Sequence, residues 1–305
     1  MDQHQQHDSG PDPGTSDRQP SAKSIILPVF DNPPPRVILD TAVALAEFTA
    51  GELLLVKVVA VPEQTPLELT DTILDEHHQQ LTTAFEALPA TDQPTRGVVR
   101  VGHRRAHIIA SAVDEHDGST TVVECPGSET SAYRPLRPPL VEAVGTSADC
   151  DVVAGSAAST YADVASILVP IAGGPHSECA IRVAHMLATY HDAWLELLHI
   201  IPADASADRV ADGERYLATE MDRIGTHEDV DTWLCESDDV AATIIEQSAY
   251  YDVTVLGAPQ KGRLRQFVSG VTTADVERDA ENTVLTVCKN EDDGSCLQRW
   301  LGRGT

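Results

Sequence analysis

The sequence predicts an α/β protein of two tandem, doubly wound, five-stranded parallel-sheet domains. Three observations lead there. Strand-length apolar runs alternate with longer helical patterns from Lys23 to Lys289. The strand runs are rich in Val, Ile and Leu with little polar alternation, as in sheets covered by helices on both faces. The alternation completes once near Ala154, then restarts at Ser166 with a similar opening.

In the first unit, residues 23–156, strands are expected at Ser24–Phe30, Glu52–Ala60, Gly97–Val101, Thr120–Glu124 and Cys150–Ala154. Helices are expected from about Pro34 to Thr49, Pro66 to Leu88, His107 to Glu115 and Leu140 to Val144. In the second unit, residues 164–289, strands are expected at Ser166–Ile171, Ala193–Ile201, Asp229–Leu234, Asp252–Leu256 and Thr283–Cys288. Helices are expected at about Ser177–Thr189, Asp208–Ile224 and Asp239–Ala249, with another ending near Asp279. Short crossovers between parallel strands are right-handed. Residues 1–22 are polar and rich in Pro and Gly, and read as a disordered tail. Residues 290–305 form a charged C-terminal tail.

Charge narrows the function classes. The net charge is −27 over 305 residues, and lysine occurs only at positions 23, 57, 261 and 289. Such an acidic coat argues against nucleic acid and against anionic membrane surfaces. It suits concentrated salt, where self-repulsion is screened within a few Å. The most apolar stretch, Val37 to Val61, is broken by Asp40, Glu47, Glu52 and Lys57, so no membrane insertion is expected. The N-terminal segment lacks the apolar run of a secretion signal, so a cytoplasmic location is expected. Six cysteines without a Cys-x-x-Cys pair read as buried free thiols.

In open parallel sheets, ligands sit beyond the C-terminal ends of the strands, where strand order reverses. The second unit reads Ile167-Leu-Val-Pro-Ile-Ala-Gly-Gly-Pro175 after its first strand. It reads Val255-Leu-Gly-Ala-Pro-Gln-Lys-Gly262 and Phe267-Val-Ser-Gly270 after its fourth, and ends Asn282-Thr-Val-Leu-Thr-Val287. The first unit follows this more loosely, through Ile26-Leu-Pro-Val-Phe-Asp31 and Ala148-Asp-Cys-Asp-Val152. Together these stretches resemble the universal stress protein family in its tandem form, and the acidic coat suggests a haloarchaeal type. The fold implied is that family's adenine-nucleotide α-hydrolase-like sheet. The resemblance also implies an intramolecular pseudo-dimer, with Cys150–Ala154 and Thr283–Cys288 close together.

Nucleotide-binding members carry Gly-x2-Gly-x9-Gly-(Ser/Thr) after the fourth strand and an acidic residue after the first. Glycines let backbone N–H groups close around phosphate, and a helix N-terminus adds positive potential. Carried over, the second unit keeps Gly257 and Gly270 but has Gln260 and Val271 where glycine and a hydroxyl belong. Ala172 stands at its acidic position. The first unit has Asp31 at the acidic position, while Glu124, Pro138 and Pro139 interrupt its glycine loop. The ligand class implied is ATP or another adenine nucleotide, held weakly near Gly173, Gly174, Gly257 and Gly270. Asp31 has the alternative of capping the following helix. Gly257 has that of a turn glycine, Gly270 that of a close packing position, and Gly173-Gly174-Pro175 that of a tight turn.

Arg96, Arg100, His103, Arg104, Arg105 and His107 cluster in an otherwise acidic chain, and pairing with nearby carboxylates is the favoured reading over anion binding. His103 and His107 are four residues apart, yet a closed metal site needs further ligands. There is no nucleophile elbow, Walker loop or zinc-protease helix. The expected role is stress response by ligand sensing or protein interaction, without turnover. Partnership with a membrane transporter and further homo-oligomerisation stay open.

Overall fold

A computed structural model describes residues 24–65, 74–124, 140–156, 163–225, 229–259 and 273–289. The first run of elements is β1 (Ser24–Val29), α1 (Arg36–Thr49), β2 (Glu52–Ala60), α2 (Leu74–Ala87), β3 (Thr95–Gly102), α3 (Arg105–Glu115), β4 (Gly118–Glu124), α4 (Leu140–Ser147) and β5 (Asp151–Ser156). The second is β6 (Ser166–Pro170), α5 (Pro175–His191), β7 (Trp194–Ile201), α6 (Ala207–Ile224), β8 (Val230–Glu236), α7 (Val240–Ser248), β9 (Val253–Pro259), α8 (Thr273–Asp279) and β10 (Thr283–Lys289). The helix expected from Pro66 is described from Leu74, since residues 66–73 lie outside the described chain.

The two expected five-stranded sheets join into one ten-stranded sheet, ordered β3-β2-β1-β4-β5-β10-β9-β6-β7-β8. Every strand pair is parallel except β5 with β10, which run antiparallel from Val152↔Cys288 to Ser156↔Val284. Each half therefore has its first strand between its second and its fourth, and the two last strands meet at the seam, as the resemblance implies.

The seam is also a shared core. α1 and α5 pack together on one face of the sheet, and a single apolar cluster runs from Ile25, Leu27 and Leu45 to Ile167, Val183 and Leu285. Helix α1 is buried almost all round from Val37 to Ala46, which explains its run of small and branched apolar residues. Asp40 lies in this interface, 1% exposed. Its carboxylate accepts from Arg36 Nε at 2.8 Å and lies 3.5 Å from His191 Nε2 of α5. Burial raises the Asp40 pKa and lowers that of His191, so each is biased towards its neutral form.

Prolines mark where the sheet opens. β1 pairs with β4 only through Ser24–Ile26, and β6 with β9 only at Ile167–Leu168. Pro28 and Pro170 lie just beyond those pairings. Their missing N–H groups cost no ladder bond towards the fourth strand. The first and fourth strands part there, which is the switch point where a doubly wound sheet offers its crevice.

Four described cysteines, at positions 150, 179, 235 and 288, form no disulfide. Burial pushes the thiols of Cys150 and Cys179 up to about 12, so neither is a thiolate nucleophile near neutral pH. Cys125 and Cys296 lie outside the described residues. No described helix is long and apolar enough to cross a membrane.

Candidate functional site

The C-terminal half builds its site on the start of α5. Gly173 and Gly174 have φ of +93° and +83°, a region that L side chains resist. Gly174 is the N-cap of α5, and Pro175 follows at the helix's first position, where its missing donor is harmless. Ser177 ties the turn: its Oγ donates to the Gly173 carbonyl and accepts from the Ala172 N–H, both at 3.2 Å.

Gly257 brings this helix start onto the sheet. It sits in β9, and a Cβ there would lie 2.4 Å from the His176 carbonyl oxygen and 3.0 Å from the Ser177 nitrogen. Its place is thus explained by close backbone packing within a strand, not by the turn that was the alternative for it. That same packing sets the α5 N-terminus over the switch point between β6 and β9. Gln260, Gly270 and Val271 lie outside the described residues.

Beside the turn is a cleft of about 250 Å³, lined by Ala172, Gly173, His199, Arg209, Asp212 and Tyr216. His199 Nδ1 is 2.8 Å from the Ile171 carbonyl, so Nδ1 carries the proton and donates. In the neutral ring Nε2 is then left as an acceptor. Tyr216 stands edge-on to that ring at 5.2 Å. Burial pushes its hydroxyl up to about 12, which keeps it an O–H donor. Arg209 follows the α6 N-cap, where Ser206 Oγ accepts from the Arg209 N–H. The cleft therefore offers donors, an imidazole acceptor, a guanidinium and the Asp212 carboxylate, which accepts from Arg215, with no carboxylate at position 172.

Strand register locates the counterparts in the N-terminal half. Pro28 pairs with Val56 and Pro170 with Leu198, which makes Phe30 the equivalent of Ala172, and Lys57 that of His199. Asp31 is one residue further on and matches Gly173. It is 81% exposed, 4.0 Å from Arg105. It does not cap α1, whose N-cap is Pro35 with no side-chain bond. The acidic position assigned to Asp31 from the sequence thus belongs, by register, to Phe30. Lys57 is fully buried and its Nζ donates to the Phe30 carbonyl. Burial lowers its pKa, and Asp31 pulls it back up. The Arg105 guanidinium covers the Phe30 ring at 5.2 Å.

The same register explains the lost glycine. Ile25 pairs with Thr120 and Ile167 with Val253, so Glu124 occupies the place of Gly257. A half-buried carboxyl there, its pKa raised by burial, denies a helix the close approach that Gly257 permits. Accordingly six residues separate β1 from α1, which begins at Arg36, whereas four separate β6 from α5.

The basic cluster is paired, as expected. Arg96 binds Glu52, Arg100 binds Glu115, and Arg104 reaches Glu63 at 3.4 Å. His103 Nδ1 is 3.3 Å from the Val61 carbonyl, and no group of three metal-ligating side chains gathers among the described residues. Sequence reasoning missed Lys57, His199 and Tyr216. The usable signal was a lone polar residue inside an apolar strand, as in Leu-Leu-Val-Lys57-Val-Val and Leu-Leu-His199-Ile-Ile.

No family model and no curated protein matches the sequence. Solved structures do match in shape. A universal stress protein from Archaeoglobus fulgidus aligns over 90% of this chain and 98% of its own, at 14% identity and a TM-score of 0.61. A putative universal stress protein from Pseudomonas aeruginosa aligns over 92% and 98%, at 14% identity and 0.57. The cytoplasmic domain of a prokaryotic cation chloride cotransporter aligns over 90% and 98%, at 12% identity and 0.58. The chain therefore has the α/β fold found in universal stress proteins, with both halves included in the match.

Proposed function

We propose that this protein is a non-catalytic ligand sensor of the universal stress type that takes an adenine nucleotide weakly in its C-terminal half. One observation carries the reading. The α5 N-terminus, opened by Gly173 and Gly174, rests on Gly257 beside the cleft of His199 and Tyr216. Phosphate belongs at the free N–H groups of the helix start. The base belongs in the cleft, where Ala172 gives it no carboxylate to bond. α5 also packs on β10 and α1, so ordering its first turn would be felt at the seam. The cytoplasm is the proposed location, and concentrated salt the proposed medium.

The test is calorimetry of ATP binding to the full chain in molar KCl. Weak saturable binding is expected. Ala172→Asp, Gln260→Gly and Val271→Ser together should tighten it by roughly 1–3 kcal/mol. No binding by either protein would refute the proposal. So would tight binding lost in Asp31→Ala but kept in Gly270→Val.

A second reading is a regulatory partner of a membrane transporter. It is supported by the likeness to the cotransporter's cytoplasmic domain. Co-purification with a membrane protein from the native host would favour it.

A further inference from the structure

The N-terminal half has a second, larger cleft at the other side of its sheet from the seam. It holds about 550 Å³ between the end of β3 and the start of α3. Arg100, His103, Arg104 and His107 line it, over a floor of Val101 and Ile108. Gly102 lets α3 close on the strand, since a Cβ there would lie 2.8 Å from Ile108 Cγ1.

Three features make this an anion site. First, α3 starts without a cap. Its N-cap, Arg104, is extended and makes no side-chain bond to the helix, and the first turn has no acidic residue. The first intrahelical bond runs from Ile108 N to Arg104 O, so the N–H groups of Arg105, Ala106 and His107 have no acceptor within the helix. Second, the cations gather here although the chain carries a net −27, so anions are repelled by most of its surface. Third, one of the two carboxylates at the rim, that of Glu63, is held loosely. Arg104 and Glu63 are 3.4 Å apart with both side chains about two-thirds exposed, a kind of pair that contributes little. Arg100 binds Glu115 through Nη2, and its buried Nε has no partner among the described residues.

We propose that this cleft binds a small phosphorylated organic molecule. Its phosphate sits at the α3 N-terminus between Arg100 and Arg104, and its carbon body lies on Val101 and Ile108. A dianion offering several oxygens to two guanidinium groups and a helix start displaces the single carboxylate of Glu63. The site is independent of the C-terminal cleft, being built from other strands.

The test is calorimetry on the full chain at fixed KCl, with inorganic phosphate and phenyl phosphate as probes. Both should bind saturably, phenyl phosphate more tightly because of the apolar floor. Arg104→Ala should weaken phenyl phosphate by about tenfold or more, with Arg104→Lys intermediate, because lysine keeps the charge but loses the fork. Arg278→Ala, on α8 and lining neither cleft, should leave binding unchanged. Arg104 is largely exposed, so its variants should fold, and circular dichroism melts would check this. Absence of a saturable site would overturn the proposal. So would unchanged affinity in Arg104→Ala, or loss of binding in Arg278→Ala.

Discussion

Gly257→Ala isolates the contact that places α5 on the sheet. The added methyl would lie 2.4 Å from the His176 carbonyl oxygen and 2.6 Å from its carbon. Reaching an ordinary separation of 3.4 Å needs a displacement of about 1 Å. The neighbour is helix backbone, so no rotamer change relieves it. α5 cannot move freely either, because Cys179, Ala180, Val183, Ala184 and Leu187 are buried beneath it. Overpacking of this kind costs about 1–3 kcal/mol, a fall of roughly 2–5 °C in melting temperature for a chain of this size. Gly155→Ala is the control. Its methyl would meet Ile38 Cδ1 at 2.3 Å and Leu285 Cδ2 at 2.8 Å, both ends of flexible side chains that can turn aside. Scanning calorimetry should therefore rank Gly257→Ala well below Gly155→Ala. Equal melting temperatures, or a Gly257→Ala protein indistinguishable from wild type, would refute the argument.

Two further outcomes follow from the charges. His191 has a folded pKa below its ordinary value of 6.5 because it is buried, so the unfolded chain binds the extra proton first. Its contribution to stability is full above 6.5 and declines as the pH falls below it; His191→Gln should flatten the loss of melting temperature between pH 7 and 5.5, and identical slopes would contradict this. Raising KCl from dilute buffer to molar concentration should raise the midpoint of thermal unfolding steeply, since 48 acidic side chains face 21 basic ones; a flat response would remove the case for salt adaptation.

The strands were legible because a parallel strand buried on both faces needs an uninterrupted run of branched apolar residues, and Ile25 to Leu27 and Leu53 to Val56 are such runs. The meeting of the two last strands followed from the family resemblance, not from these runs, which are alike. The site was less legible. Asp31 attracted the acidic role because a carboxylate is conspicuous, whereas the proper landmark was Pro28, whose missing donor fixes where β1 leaves β4. Lys57 and His199 stand out as polar residues inside apolar strands, but nothing local shows that both bond a carbonyl of the turn after the first strand. The pairing of Arg104 with Glu63 joins residues 41 apart, and charge counting alone could suggest that pairing but not its looseness.

The antiparallel seam has a consequence for self-association. Register makes Val153 the equivalent of Leu285, and Gly155 that of Val287. Under a true two-fold, the pairs Gly155↔Leu285 and Val153↔Val287 would be identical, yet one is a hole facing a knob and the other two matched branched side chains. Two copies of β5 meeting in this register would set Gly155 against Val153 and leave a void above Ile38. Two copies of β10 would set Leu285 against Val287 with no hole to receive the leucine. Each strand is therefore shaped for the other and poorly for itself, which disfavours exchange between molecules. Because both belong to one polypeptide, their encounter is intramolecular, and dilution does not weaken it.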